Sequence, residues 1–165
     1  MDAIERVEVA VRTQLVYHFA HQYGPFGYAD KGNFPCLTNE RFTDWLDDID
    51  KEFTILYFWE PNCGHCKEAT PKLKAYYDKA RNDGIEIFSV CTTSNKQEWT
   101  KYIEDNNLTW INGWDPNRST HFDYYYNVQS TPMIYILDRN KKIIAKKLSV
   151  DDIPSFIENY RKYFR

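Results

Sequence analysis

The chain has 165 residues, a formal charge of −3 at pH 7, 42% hydrophobic and 27% charged side chains. That length builds one domain with a full core rather than two, and the mildly acidic, scattered charge excludes the concentrated basic patch that nucleic acid would need. No stretch reaches the ~20 apolar residues of a membrane span, and four cysteines are too few for a disulfide scaffold and suit a catalytic role. Thirteen Tyr and five Trp are expected in the core and around a binding groove, because such side chains bury area while keeping a polar tip.

The opening residues, Met1 to Glu5, start acidic and turn amphipathic, without the pattern of a secretory signal. Ile4, Val7, Val11, Leu15, Phe19 and Tyr23 recur at three- and four-residue steps and predict a helix that ends near Gly24-Pro25. Gly24 to Pro35 is rich in Gly and Pro and reads as a linker. Thr38 or Asn39 can cap a second helix with Phe42, Trp45, Leu46 and Ile49 on its apolar face. Phe53 to Trp59 is a continuous apolar and β-branched run, as in a strand covered on both faces.

Pro61-Asn62 breaks that strand, and a helix is predicted from Cys63 to about Asn82, with Ala69, Leu73, Tyr76, Tyr77 and Ala80 inward. Ile85 to Val90 reads as the next strand. Ser94 or Asn95 caps a helix through Trp99, Tyr102 and Ile103. Trp110-Ile111 reads as a short strand, Arg118 to Tyr126 as a helix, and Met133 to Leu137 as a strand with a hairpin partner in Lys142 to Lys147. The lysines of that hairpin read as a solvated face. Asp151 to Phe164 closes the chain as a helix. From Phe53 the order is β-α-β-α-β-α-β-β-α, which calls for an α/β three-layer sandwich: a mixed central sheet with helices on both faces.

The sharpest chemical signal is Cys63-Gly64-His65-Cys66 at the junction of a buried strand and a helix. Two cysteines at i and i+3 on a first helical turn bring both sulfurs to one side, within reach of a disulfide. The first sits where unpaired N–H groups and the helix dipole favour an anion, so Cys63 is expected to ionise early and to attack. Cys66, one turn deeper, is expected to be the shielded, resolving thiol. His65 beside the thiolate is expected to stabilise the reduced form and raise the reduction potential. A zinc site needs four ligands, and no second C-x-x-C exists; Cys36 and Cys91 stand alone, and His18 with His21 reads as plain surface. No metal or cofactor is expected. Cys91, after a core strand, reads as a buried inert thiol, with a Cys36–Cys91 bridge as the alternative.

These residues, with Trp59, Pro61 and Asn62 before the pair, resemble the active-site turn of the thioredoxin superfamily. Pro71 matches that family's helix proline, and Thr131-Pro132, just before a strand, matches its cis-proline loop. The likeness covers about Asn39 to Phe164 and is nearest to the TlpA/ResA branch of envelope thiol–disulfide oxidoreductases. It implies a thioredoxin-like domain over residues 36–165, after an N-terminal helix and linker over residues 1–35 that would fit the remainder of an upstream domain. It also implies exchange with protein disulfides or dithiols, an upstream redox partner, and a place in the cell envelope or periplasm, the cytoplasm being the alternative. A monomer is expected. Thr131, Pro132, Trp59 and Asn62 are the implied substrate contacts.

The sequence departs from the family where thioredoxins carry a buried Asp six residues before the first Cys; Tyr57 stands there. Glu60 and Glu68 are the nearest carboxylates and the candidate proton relays for Cys66. Two other functions fit less well. A peroxiredoxin-like peroxidase would need a Pro-x-x-x-Thr-x-x-Cys site, which is absent around Cys63. A non-enzymatic binding module would use the N-terminal helix to dock a partner.

Overall fold

The computed structural model describes residue 46 and residues 48–164. The N-terminal helix, the linker, the boundary at residue 35, most of the second helix, and His18, His21 and Cys36 lie outside the described residues.

Five strands form one sheet: β1 (Phe53–Trp59), β2 (Ile85–Cys91), β3 (Ile111–Trp114), β4 (Met133–Asp138) and β5 (Ile143–Lys146). Their order is β3-β2-β1-β4-β5. β1, β2 and β3 run parallel, while β4 is antiparallel to β1 and β5 to β4. All seven residues of β1 are buried, as the unbroken apolar run required of a strand with layers on both sides. The register sets Phe53 against Ile85 and Trp59 against Cys91, so the strands β1 and β2 end together beside the turn that carries the cysteines.

Alternation along β1 sorts the core into two layers. Phe53, Ile55, Tyr57 and Trp59 pack against α1 (Gly64–Ala80), α2 (Lys96–Asp105) and α4 (Ile153–Phe164). Leu56 and Phe58 face the other way, against α3 (Phe122–Tyr125) and the segment with Leu46 and Ile49. The predicted three-layer sandwich is present, as is the predicted element order. Burial of each large apolar side chain contributes about 1.5–3 kcal/mol.

Local chemistry sets the boundaries. Asn95 caps α2 by accepting the Glu98 N–H at 3.2 Å. Gly84, between α1 and β2, has φ +77°, and an added Cβ would stand 3.2 Å from that of Glu52; glycine alone fits there without strain. Two elements differ from expectation. β3 starts at Ile111 and runs to Trp114. The helix predicted over Arg118 to Tyr126 is a single turn, Phe122–Tyr125. The reason is Asp115: one carboxylate oxygen accepts from the N–H and hydroxyl of Ser119, the other from those of Thr120. This cap holds the preceding residues in a turn, with Arg118 and His121 both left-handed, at φ 51° and 52°.

Candidate active site

Pro61-Asn62 turns the chain out of β1, and Cys63 becomes the N-cap of α1, with extended backbone angles of −76° and 122°. At that position the thiol takes the place that a Ser or Asp oxygen takes at most helix starts. Its Sγ accepts the Cys66 N–H at 3.2 Å. Across from it, the Thr131-Pro132 peptide is cis, and the carbonyl of Thr131 lies 3.2 Å from Cys63 Sγ. The two separated parts of the sequence motif therefore meet at one point.

The two thiols, both free, are electrostatically unlike. Partial burial opposes a charge on Cys63. Hydrogen bonds from the Cys66 thiol, from the Thr131 side chain and from the N–H groups of Cys66 and His65 outweigh it, and Cys63 ionises below the ordinary thiol range. Cys66 is fully buried, and that burial, reinforced by its hydrogen bond to Cys63, pushes its thiol up to about 12. One sulfur is thus poised as an anion and the other held as a protonated thiol.

The remaining candidates sort by position. His65 and Gly64 are exposed on the first turn of α1, and a side chain at residue 64 would meet nothing within 4 Å. His65, Glu68, Lys72, Pro132, Leu148 and Asp151 border a cleft of about 310 Å³ beside the cis-proline. Asn62 is exposed and donates to Glu98 at 2.7 Å, which ties the cysteine turn to α2. Trp59 is 0% exposed, so it backs the site from inside and presents no surface to a substrate, unlike the contact role the resemblance implied. It stacks on Tyr57 and lies against Tyr102 at 5.0 Å between ring centroids.

Of the two carboxylates, Glu68 is exposed, and Glu60 accepts a hydrogen bond from the Thr92 hydroxyl. Tyr57 is buried where the family has Asp, and its hydroxyl meets that of Thr70 at 2.8 Å. Thr70 was not singled out by the sequence; its helical spacing from Cys66 was the available signal. Cys91 is a buried free thiol whose burial, with Glu60 nearby, raises it to about 12, in keeping with an inert role. No cluster of three or more metal-ligating side chains occurs among the described residues, and no helix among them is long and apolar enough to cross a membrane.

Comparison with known proteins identifies the family. A family model described as thioredoxin-like matches residues 50–144. The structure of a domain of a possible thiol-disulfide isomerase from Cytophaga hutchinsonii superposes with a TM-score of 0.66 at 36% identity, over 71% of this chain and 80% of that one. The thiol-disulfide oxidoreductase ResA of Oceanobacillus iheyensis is 22% identical over 123 residues, which are 73% of this chain and 63% of ResA. A probable protein disulfide-isomerase A4 of Caenorhabditis elegans is 26% identical over 128 residues, 73% of this chain but 19% of that protein. The chain thus spans less than two thirds of either relative. It belongs to the thioredoxin-like family.

Proposed function

We propose that the chain exchanges dithiols and disulfides with protein substrates through Cys63 and Cys66. What supports this reading above all is the pairing of an N-cap thiol that ionises early with a buried thiol one turn below it. In the reductive direction, Cys63 thiolate attacks one sulfur of a substrate disulfide. The substrate S–S bond breaks, a mixed disulfide forms, and the released substrate thiolate takes up a proton. Cys66 then loses its proton and attacks Cys63 Sγ, releasing the second substrate thiolate. The substrate gains two electrons and the Cys63–Cys66 pair is left as a disulfide. The reverse sequence oxidises a substrate dithiol, and an upstream redox partner resets the pair.

The cis-proline loop is the seat for the substrate chain: the Thr131 backbone can pair with an extended segment as an added strand, with Pro132 and the cleft beside His65 on one side and Asn62 on the other. His65 tunes the pair toward a higher potential, nearer the isomerase value of ~−180 mV than the ~−270 mV of thioredoxin. We place the domain in the cell envelope, as its resemblance to the TlpA/ResA branch implies.

The deciding experiment is insulin reduction together with partner trapping. Cys63→Ser is expected to abolish turnover, and Cys66→Ser to accumulate mixed disulfides with protein partners on non-reducing gels. Free exchange by both variants would overturn the assignment, and so would an inert wild-type pair, which would favour the binding-module reading.

A further inference from the structure

The cleft beside the cis-proline is bounded on one side by α1. His65, Glu68, Ala69 and Lys72 line it, and steps of three and four residues set them on one helical face. The cleft therefore follows the helix for about 10 Å, from the turn next to Cys66 out to Lys72. Its other side is the segment 147–151. Lys147 bends that segment with a left-handed φ of 57°, the Leu148 N–H donates to the Ile134 carbonyl at 3.3 Å, and the Ser149 hydroxyl caps the 3-10 turn Val150–Asp152. The two sides meet where Lys72 Nζ lies 2.7 Å from the Asp151 carboxylate. This ion pair stands about two helical turns from the cysteines, so it closes the far end of the cleft and leaves the near end, at His65 and Pro132, open. Ala69, Pro132, Leu148 and Val150 are each half-buried and keep apolar surface inside it. The carboxylates and ammonium groups around it balance, Lys72 with Asp151 as a pair and Glu68 against Lys147.

Resting on the exchange reading above, we propose that this slot holds an apolar side chain of Leu to Phe size, carried by the residue next to the substrate's reactive cysteine, and that the Lys72–Asp151 pair sets which side chains it accepts. Cys63 Sγ lies 3.2 Å from the Thr131 carbonyl, and Pro132, the next residue, lines the slot. A substrate cysteine bonded to Cys63 thus has its neighbour, ~3.5 Å along an extended chain, over the open end. The volume of about 310 Å³ is at the small end of ligand sites and matches about ten waters, room for one large side chain. Removing apolar surface from water there supplies affinity. A charged side chain would instead lose hydration among charges that already balance. With either partner of the ion pair gone, the charge left at the end of the slot selects its opposite.

The test compares guests within one protein at a time. Enzyme recycled by excess dithiothreitol is given otherwise uncharged peptide disulfides with one guest residue before or after the cysteine: Ala, Leu, Phe, Glu or Lys. The uncatalysed rate is subtracted. On one side of the cysteine, kcat/KM with Leu or Phe is expected to exceed that with Ala by roughly ten- to a hundred-fold, the range in which apolar pockets discriminate, and to do so mostly through KM. Glu and Lys guests are expected to do no better than Ala. Asp151→Ala, which frees the Lys72 ammonium, is expected to raise the Glu guest against Ala by about two- to fivefold, and Lys72→Ala to raise the Lys guest likewise. Both gains should vanish in about 1 M salt. A merely structural role would move the two charged guests alike. Flat guest ratios in the wild type overturn the proposal, and so does the same charge preference in both variants. A wild type that reduces no peptide at all would instead sink the exchange reading itself, so the two failures are distinguishable.

Discussion

The two faces of the central sheet bury different kinds of side chain. Toward α1, α2 and α4, the strands and helices bury polar atoms among aromatic rings. Tyr57 meets Thr70, and Ser89 links Asn112 to the Trp110 indole at 2.9 and 3.2 Å. Toward α3, the strands bury Leu56, Phe58, Phe88, Val90 and Met133, with Thr54 and Tyr135 as polar exceptions. Both faces supply the hydrophobic effect. The first adjoins the cysteines, and there the described core joins the hydroxyls of Tyr57 and Thr70. A dry layer can be built from interchangeable apolar residues, whereas a hydrogen-bonded layer is tied to particular atoms. Stability and chemistry are thus expected to separate by face.

The largest expected effect on the chemical side is Cys63→Ser, which should remove insulin reduction altogether while leaving the urea unfolding midpoint close to that of the reduced wild type. On the dry side, Phe58 packs on Phe122 at 5.0 Å and against Tyr126 and Tyr135. Phe58→Ala should therefore cost about 3–5 kcal/mol in unfolding free energy, with the alkylation rate of Cys63 in the folded fraction unchanged. A large change in that rate would break the separation of faces.

A smaller effect concerns pH. Cys63 ionises below its unfolded value, so its stabilisation is present above ~8.5 and is lost as pH falls through the folded value. Cys66 and Cys91 behave oppositely. Each is raised to about 12, so their stabilisation is complete below ~8.5 and declines as pH rises from there towards 12. Reduced protein should be most stable near pH ~8.5 and weaken above it. Oxidised protein, with the Cys63 and Cys66 titrations gone, should keep the Cys91 part of that decline, joined above pH ~10 by Tyr57 and Tyr126, which burial also raises. Urea titrations of both forms between pH 6 and 11 check this.

The smallest effect is at His65. Its backbone N–H supports the Cys63 thiolate, and proline is tolerated in a first helical turn but has no N–H. His65→Pro should remove that donor and the imidazole together and lower the reduction potential by tens of millivolts, 30 mV being worth about 1.4 kcal/mol. A glutathione titration showing no change would confine His65 to the cleft surface.

How far the sequence alone could reach follows the same division. β1 was readable because an unbroken apolar run has one good solution, a strand between two layers. The Cys63 cap and the Thr131-Pro132 turn were readable because each needs specific residue types at a fixed spacing. The substrate contact expected of Trp59 does not hold because an aromatic beside a reactive turn looks the same in sequence whether it faces substrate or core; its complete burial against Tyr102 shows that it faces the core. Thr70 was invisible because its importance comes from Tyr57, thirteen residues away. The helix predicted over Arg118 to Tyr126 is longer than the observed Phe122–Tyr125 turn because the Asp115 cap competes with it, through contacts that helical periodicity does not register.

That cap has a practical corollary. Asp115 is fully buried, and its own N–H bonds to the Cys91 carbonyl at 2.9 Å, fastening the Asp115 to Thr120 stretch to the strand ends beside the cysteines. Its two oxygens receive four donors, so replacing one oxygen by an NH₂ group sets donor against donor. Asp115→Asn, nearly identical in shape, should loosen this stretch into the place where a protease cuts first, and limited digestion of the two proteins side by side would reveal it as a new early fragment.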